Sequence, residues 1–270
     1  LRGPRGGLIL CKEEYAKALS WASENCPIGE DLNEGPWGFG GISEEEKRAQ
    51  FEFCVKMTLI VRDIMVGNDK LNAIGRHEEA LGRNAILGGF QGQRQWTDFK
   101  PNGDFTEAIL NSTFDWHGKK EPVILATEND TMNGMAMLFG KLITGGASVF
   151  ADVRTYWSPE SVTRVTGWTP SGRAANGFIH LINSGAAALD GTGRSRDKEG
   201  NPVMKKWWDV TEEDQKAMLG ATVWSPANRG YFRGGGFSSS FSTKGEMPVT
   251  LIRMNSVEGI GTTLQIAEGY

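Results

Sequence analysis

Three patterns in the 270-residue chain predict an α/β fold. The first third carries apolar residues at helical spacing. Two short, continuous apolar runs follow Pro122, and a helical segment separates them. After about residue 158 the sequence alternates strand-like runs with loops. We therefore predict an α/β fold, with a parallel-sheet domain and flanking helices followed by a mainly β region.

The first third predicts three helices. Periodic apolar positions indicate one helix over Glu13–Asn25. A second helix begins after Ser43, which forms a capping-box pattern with Glu46, and it ends at Gly67, a typical glycine after a helix. The third is predicted over about Leu71–Leu87.

The middle of the chain predicts a βαβ unit. Val123–Thr127 is a short apolar run typical of a strand buried on both faces. Asp130 can cap a helix over Thr131–Leu142, and Ser148–Ala151 indicates a second buried strand. Because the unit spans about thirty residues, the two strands are expected to be parallel neighbours.

The last part of the chain predicts strands and loops. Strand-like runs occur at Phe178–Asn183, Val249–Asn255 and Thr262–Ala267. A domain boundary is expected near residues 144–158, where the predicted βαβ pattern gives way to strands and loops.

Composition excludes several classes of protein. The formal net charge of −4 gives no reason to expect a nucleic-acid or membrane-surface partner. Three cysteines without C-x-x-C spacing indicate neither a disulfide framework nor a zinc knuckle, and Cys54 is interpreted as a small buried apolar residue. The sequence shows neither a secretory signal pattern nor a long unbroken apolar run, so a cytoplasmic protein is expected.

Two acids follow the two predicted parallel strands. Glu128 comes after the first strand and Asp152 after the second. Because parallel strands end at one edge of a sheet, the two carboxylates are expected there together, sharing a proton or a cation. An oxygen-rich site suits Mg²⁺ or Mn²⁺ better than Zn²⁺. The alternative, which spacing by itself favours, is that both acids cap the segments that follow.

Clusters of amide, guanidinium and aromatic side chains flank these acids at Phe90–Trp96 and Arg154–Trp157. Such side chains suit a polyhydroxylated ligand, because amides bind hydroxyls and rings cover C–H faces. The alternative is that the aromatic rings only fill the core.

Other motifs favour structural roles. Arg233–Phe237 could bind phosphate through backbone N–H groups, but a tight turn or a mobile active-site loop is the favoured interpretation. His77, His117 and His180 are far apart in sequence and are interpreted as core or surface residues.

Six motifs taken together resemble the L-fucose isomerase family, aldose–ketose isomerases that act on L-fucose and D-arabinose. The resemblance runs from about Glu13 to Tyr270, whereas Leu1–Leu10 does not match. The motifs are Gly89–Arg94, Ala126–Asp130, Phe150–Glu160, His180–Gly185, Tyr231–Gly236 and Leu264–Gly269.

The resemblance implies a Mn²⁺ held by a glutamate, an aspartate and a histidine, with the two carboxylates also transferring protons. Glu128 and Asp152 match the two acids, and Gln91, Ser184 and Tyr231 look like sugar-contacting residues. The family's histidine ligand lies in an N-W-G-A-N-H-type segment that this sequence does not contain, so no histidine is assigned to the metal.

The resemblance also implies a domain organisation. Residues 1–10 form an unmatched tail, and residues 11–147 the family's second domain, a parallel-sheet, Rossmann-like domain with flanking helices. Residues 148–270 form the start of a mainly β, barrel-like C-terminal domain, which is truncated. We expect a middle fragment of a cytoplasmic homohexamer that binds a small sugar and neither nucleic acid nor membrane. By itself the fragment is expected to be inactive.

Several alternatives remain open at this point. A hydride shift could replace the cis-enediolate mechanism, and an activity like that of L-arabinose isomerase is the nearest enzymatic alternative. A sugar-binding or structural fragment without catalysis is the alternative from a different class of protein.

Overall fold

The computed structural model describes residues 11–34, 40–90, 97–183 and 185–270. The chain divides into two compact units, residues 1–150 with 185–270, and residues 151–184. The described helices are α1 (Lys12–Asn25), α2 (Glu44–Val66), α3 (His77–Leu81), α4 (Asp104–Asn111), α5 (Thr131–Thr144), α6 (Pro159–Thr166) and α7 (Glu212–Gly220).

The described strands form five two-stranded sheets. Leu87–Gly89 (β1) pairs in parallel with Ile124–Ala126 (β4). The antiparallel pairs are Phe114–Asp115 (β2) with Gly118–Lys119 (β3), Asp152–Trp157 (β5) with Phe178–Ile182 (β6), Val223–Pro226 (β7) with Phe237–Ser240 (β8), and Val249–Val257 (β9) with Gly261–Gly269 (β10).

Local sequence signals locate the first two helices correctly. The Ser43 hydroxyl accepts a hydrogen bond from the Glu46 amide at 3.2 Å, which satisfies one unpaired N–H at the start of α2. At the other end, Gly67 has φ +82°, and a Cβ there would lie 2.5 Å from the Ala80 carbonyl oxygen. The predictions of α1 and α2 are confirmed.

The core of the larger unit forms where α2, α4, β7 and β8 meet. The Phe51 ring packs edge-on against Phe105 and Phe237, with centroids 5.5 and 5.2 Å apart. The Trp224 ring packs against the Phe105 ring, with centroids 4.7 Å apart. Cys54 is fully buried in the same cluster, as predicted.

The prediction of one helix over residues 71–87 is wrong. A 3-10 turn covers Asp69–Ile74, α3 covers only five residues, and Leu87 already belongs to β1. Gly75 and Gly82 adopt positive φ values of 72° and 65°, which end each short segment.

The predicted βαβ unit is wrong in its strand pairing. The helix α5 forms as expected and ends at Gly145, which has a left-handed conformation. The parallel partner of β4 is β1, however, and residues 148–151 form no strand. Ser148 instead donates to the Met137 carbonyl oxygen at 2.9 Å, and Phe150 packs against Met137, so this segment covers α5.

The later strands are confirmed, but the larger architectures are not. β6, β9 and β10 cover the predicted runs. Within the described ranges the sheets are small, no closed barrel occurs, and the Rossmann-like arrangement is not confirmed. None of the helices in those ranges is long and apolar enough to cross a membrane.

Candidate active site

Glu128 lies in an unusual turn at the end of β4. Its φ of +58° and that of Asn129, also +58°, place two consecutive residues in the left-handed region. Asparagine tolerates this conformation, whereas glutamate rarely adopts it. Such a backbone persists only where the surrounding structure holds it in place.

Two contacts hold this turn against its neighbours. The Thr127 hydroxyl donates to the Glu107 carboxylate at 2.8 Å. On the other side, a Cβ on Gly89 would lie 2.6 Å from the Ala126 carbonyl oxygen and 2.8 Å from the Asn129 Cα. Only a glycine at position 89 therefore lets the turn lie directly on β1.

Helix α4 connects the turn to the core. All eight of its residues are buried, and Glu107 and Asn111 lie one turn apart. The Asn111 side chain donates to the Leu125 carbonyl oxygen at 2.8 Å and accepts from the Leu125 amide at 3.0 Å. The asparagine thus replaces a neighbouring strand along the otherwise open edge of β4.

Asp104, at the start of α4, contacts two further segments. The Ser238 hydroxyl donates to the Asp104 carboxylate at 2.5 Å. Gly185 has φ +120°, and a Cβ there would lie 2.6 Å from the same carboxylate oxygen. The buried Asp104 side chain therefore contacts both β8 and Gly185.

Burial changes the protonation of both α4 acids. It raises the pKa of Asp104 to about 7, although the bond from Ser238 acts against this rise. Burial, together with the charges of Asp104 and Glu128, raises the pKa of Glu107 to about 8, although the hydrogen bond from Thr127 acts against this rise. Near neutral pH Asp104 and Glu107 are therefore partly protonated, and together they carry less than two negative charges.

Two of the predicted sugar contacts, Gln91 and Ser184, lie outside the described residues. The third, Tyr231, is 46% exposed, and its ring packs edge-on against Phe232 with centroids 4.8 Å apart. Its backbone N–H donates to the Asn228 carbonyl oxygen at 3.1 Å. The roles of all three residues stay predictions.

The glycine run before β8 is a tight turn, and its amides are already bonded inside the protein. Gly234, Gly235 and Gly236 donate to the Thr97 carbonyl, the Phe232 carbonyl and the Gln50 side chain at 2.7, 2.8 and 2.9 Å. These three amides are therefore not available to cradle phosphate, and the interpretation as a tight turn is confirmed.

Asp152 begins β5 in the smaller unit, whereas Glu128 belongs to the larger one. The Asp152 carboxylate lies 3.0 Å from the Arg154 guanidinium at the surface, and the Asp152 side chain is 44% exposed. The predicted meeting of Glu128 and Asp152 stays a prediction. Within the described ranges, no group of three or more His, Cys, Asp or Glu side chains could hold a metal ion, so a metal centre is not complete there.

Two histidines have structural partners. His117 Nε2 lies 2.9 Å from the buried Glu14 carboxylate, and His77 Nδ1 lies 3.0 Å from the Asn72 side-chain oxygen. The hydrogen bonds from Arg62 and His117, with the Arg62 charge, hold the pKa of Glu14 well below its usual value despite its burial. These contacts agree with the interpretation of both histidines as structural.

Sequence reasoning missed the two acids of α4. Asp104 and Glu107 are spaced three apart and Asn111 follows four later, a polar stripe on one helical face. That spacing was the available signal, but a polar stripe ordinarily indicates a solvated surface. Only the burial of the whole helix shows that the stripe lies inside the protein.

Comparison with known proteins defines the class of protein. A family model described as L-fucose isomerase, second N-terminal domain, matches residues 7–145. A second model, L-fucose isomerase, C-terminal domain, matches residues 181–270. The chain therefore belongs to the L-fucose isomerase family.

Individual relatives agree with this assignment. The L-fucose isomerase of Bacteroides thetaiotaomicron is 59% identical over 260 residues, which cover 96% of this chain and 44% of the relative. That of Clostridium perfringens is 59% identical over 261 residues, covering 95% and 44%. That of Streptococcus pneumoniae is 56% identical over 258 residues, covering 96% and 43%. The chain thus spans less than half the length of these curated relatives.

Proposed function

We propose that the chain carries part of the active site of an aldose–ketose isomerase that converts L-fucose to L-fuculose and D-arabinose to D-ribulose through a cis-enediolate. The observation that carries this proposal is the Glu128 turn. This turn carries an acid at the end of the parallel strand β4. Its left-handed backbone is stabilised by the hydrogen bond from Thr127 to Glu107 of the buried helix α4. The family membership supplies the reaction class.

The reaction moves a hydrogen between C1 and C2 of the sugar, while the two oxygens exchange oxidation state. In this proposal Glu128 removes the C2 proton, its carboxyl hydrogen exchanges with solvent while the enediolate exists, and Glu128 then delivers a proton to C1, whereas Asp152 relays the hydroxyl proton. The turn fixes the backbone from which the exposed Glu128 side chain would reach the sugar, and such a transfer requires this positioning. Gln91, Ser184 and Tyr231 bind the hydroxyl groups of the sugar.

A Mn²⁺ ion is part of the proposal. Glu128 and Asp152 would hold it with a further ligand from outside the described residues. When bound, it would polarise the sugar carbonyl as a Lewis acid. The whole enzyme is proposed to be a cytoplasmic homohexamer.

The Glu128→Gln substitution tests the proposal in a full-length family protein that contains these 270 residues. We expect isomerase turnover to fall by about 10²–10⁴-fold, because the amide cannot accept the C2 proton. The measurement is ketose formation from L-fucose. Glu258→Gln, at an exposed position of the β9–β10 hairpin, is the matched control and should retain wild-type turnover. Unchanged turnover in Glu128→Gln would overturn the proposal.

A second candidate function is sugar binding without catalysis. It would hold if the metal centre, which the described side chains do not complete, also stayed incomplete in the full-length protein. In that case the full-length wild-type protein would bind L-fucose but form no ketose, so the same assay distinguishes the two candidates.

A further inference from the structure

Helix α4 contacts several segments of the larger unit, including the turn that carries Glu128. Glu107 bonds to the turn that carries Glu128. Asn111 bonds to β4, the strand that leads into this turn. Asp104 bonds to Ser238 and lies against Gly185. The helix is therefore a common support for segments that are far apart in sequence.

The contact between Glu107 and Thr127 is the one that bears most directly on Glu128. Glu107 is only 3% exposed, and an acid at such a position costs more to bury than an apolar residue of similar size. Packing alone would therefore be served better by leucine or methionine. The carboxyl group does what those residues cannot, because one of its oxygens accepts the Thr127 hydroxyl hydrogen bond at 2.8 Å.

The geometry of the turn explains why this bond matters. Thr127 comes immediately before Glu128 and Asn129, whose left-handed φ values are unfavourable without support. The Asp130 amide donates to the Thr127 carbonyl oxygen at 3.1 Å and closes the turn. Holding the Thr127 side chain therefore holds the residue from which the turn starts.

We propose that Glu107 is a positioning residue for Glu128 and that it acts through the Thr127 hydroxyl. Glu107 itself touches no substrate in this scheme. The inference rests on the proposed function, since it assigns Glu128 its proton-transfer role. It adds one requirement to the role of Glu128. The side chain of the preceding residue, Thr127, must form a hydrogen bond with Glu107.

A matched pair of threonine variants tests the inference in the full-length family protein. Thr127→Val keeps the shape of the side chain and removes the hydroxyl, whereas Thr127→Ser keeps the hydroxyl. We expect Thr127→Val to lower kcat by about 10–100-fold with KM changed by less than about threefold, because the misplaced carboxylate affects the chemical step more than binding. Thr127→Ser should stay within about threefold of wild type.

A second readout does not depend on activity. Hydrogen exchange at the Asp130 amide reports the closure of the turn. Thr127→Val should speed this exchange by at least about tenfold without changing exchange in helix α2, and Thr127→Ser should not.

Glu107 variants keep the test decisive if Thr127→Val does not fold. Glu107→Gln retains an oxygen that accepts the hydroxyl hydrogen bond, whereas Glu107→Met does not. Glu107→Gln should therefore preserve both kcat and Asp130 protection, and Glu107→Met should lose both. Equal behaviour of these two variants would overturn the inference.

The possible outcomes separate the inference from the proposed function. Wild-type kcat and exchange in Thr127→Val, together with an inactive Glu128→Gln, would overturn the positioning role and leave the proposed function standing. Equal losses in Thr127→Val and Thr127→Ser would also overturn it. An active Glu128→Gln would instead overturn the proposed function and, with it, the catalytic purpose of the turn.

Discussion

Two adjacent glycines in β1 lie against very different neighbours. A Cβ on Gly89 would meet backbone atoms of Ala126 and Asn129 at 2.6 and 2.8 Å, and these cannot move without moving the turn. The nearest atoms to a Cβ on Gly88 would be side-chain atoms of Leu125 and Met65, each at 3.3 Å. The Met65 side chain is flexible and can adjust.

The Gly89→Ala and Gly88→Ala variants of the chain should therefore differ in stability. We expect Gly89→Ala to lower the free energy of unfolding by about 1–3 kcal/mol through overpacking, and Gly88→Ala to change it by less than about 1 kcal/mol. Urea denaturation of both variants measures the difference. Equal effects would show that the turn does not press on β1 as described.

For single residues, the sequence identifies candidates for a function better than it predicts their conformation. Glu128 and Asp152 stand out because each follows a predicted strand, and Cys54 because it lies in an apolar helix. The left-handed backbone of Glu128 has no signal in the sequence, since glutamate is not a residue that favours it.

At the scale of elements, α4 joins the site to the core, and its first residue makes the protein sensitive to pH. The folded-state pKa of Asp104 is about 7, above its ordinary value of 3.8. Between these two values the folded protein holds a proton that the unfolded chain has lost. The stability associated with Asp104 is therefore fully present below about pH 4 and decreases as pH rises through about 7.

Asp104→Asn should remove this dependence while the amide oxygen still accepts the Ser238 hydroxyl. From about pH 5 to about pH 8 we expect the wild-type chain to lose on the order of 2–4 kcal/mol relative to Asp104→Asn. Urea denaturation across this range measures the relative loss. A constant difference between the two proteins would contradict the buried, proton-binding environment of Asp104.

Elements with local signals were predictable, and elements that depend on distant partners were not. The apolar periodicity of α1 and α2, the Ser43 cap of α2 and the glycines that end α2 and α5 are local signals, so the sequence predicts these helices directly, although the Asp130 side chain makes no capping hydrogen bond at the start of α5. The parallel partner of β4 is a three-residue strand in a segment with helical periodicity, so its pairing depends on tertiary contacts. The burial of α4 likewise depends on the elements packed around it.

At the scale of the whole molecule, the chain belongs to the L-fucose isomerase family and spans 43–44% of the length of the relatives compared. Because the described residues do not complete a metal centre, we expect the 270 residues alone to show negligible ketose formation and weak Mn²⁺ binding. A coupled isomerase assay and calorimetric titration with Mn²⁺ measure the two properties. Robust turnover by this chain alone would contradict the expectation.

In the proposed mechanism Glu128 transfers a proton between C2 and C1 of the sugar. The most direct measurement is isomerisation of L-fucose in D₂O by the full-length protein and by its Glu128→Gln variant, followed by NMR. We predict solvent deuterium at C1 of the ketose formed by the wild-type protein, and neither ketose nor exchange of the C2 hydrogen with the variant. Wild-type turnover without deuterium, which a hydride shift would give, or C2 exchange at the wild-type rate in Glu128→Gln, would contradict the claim.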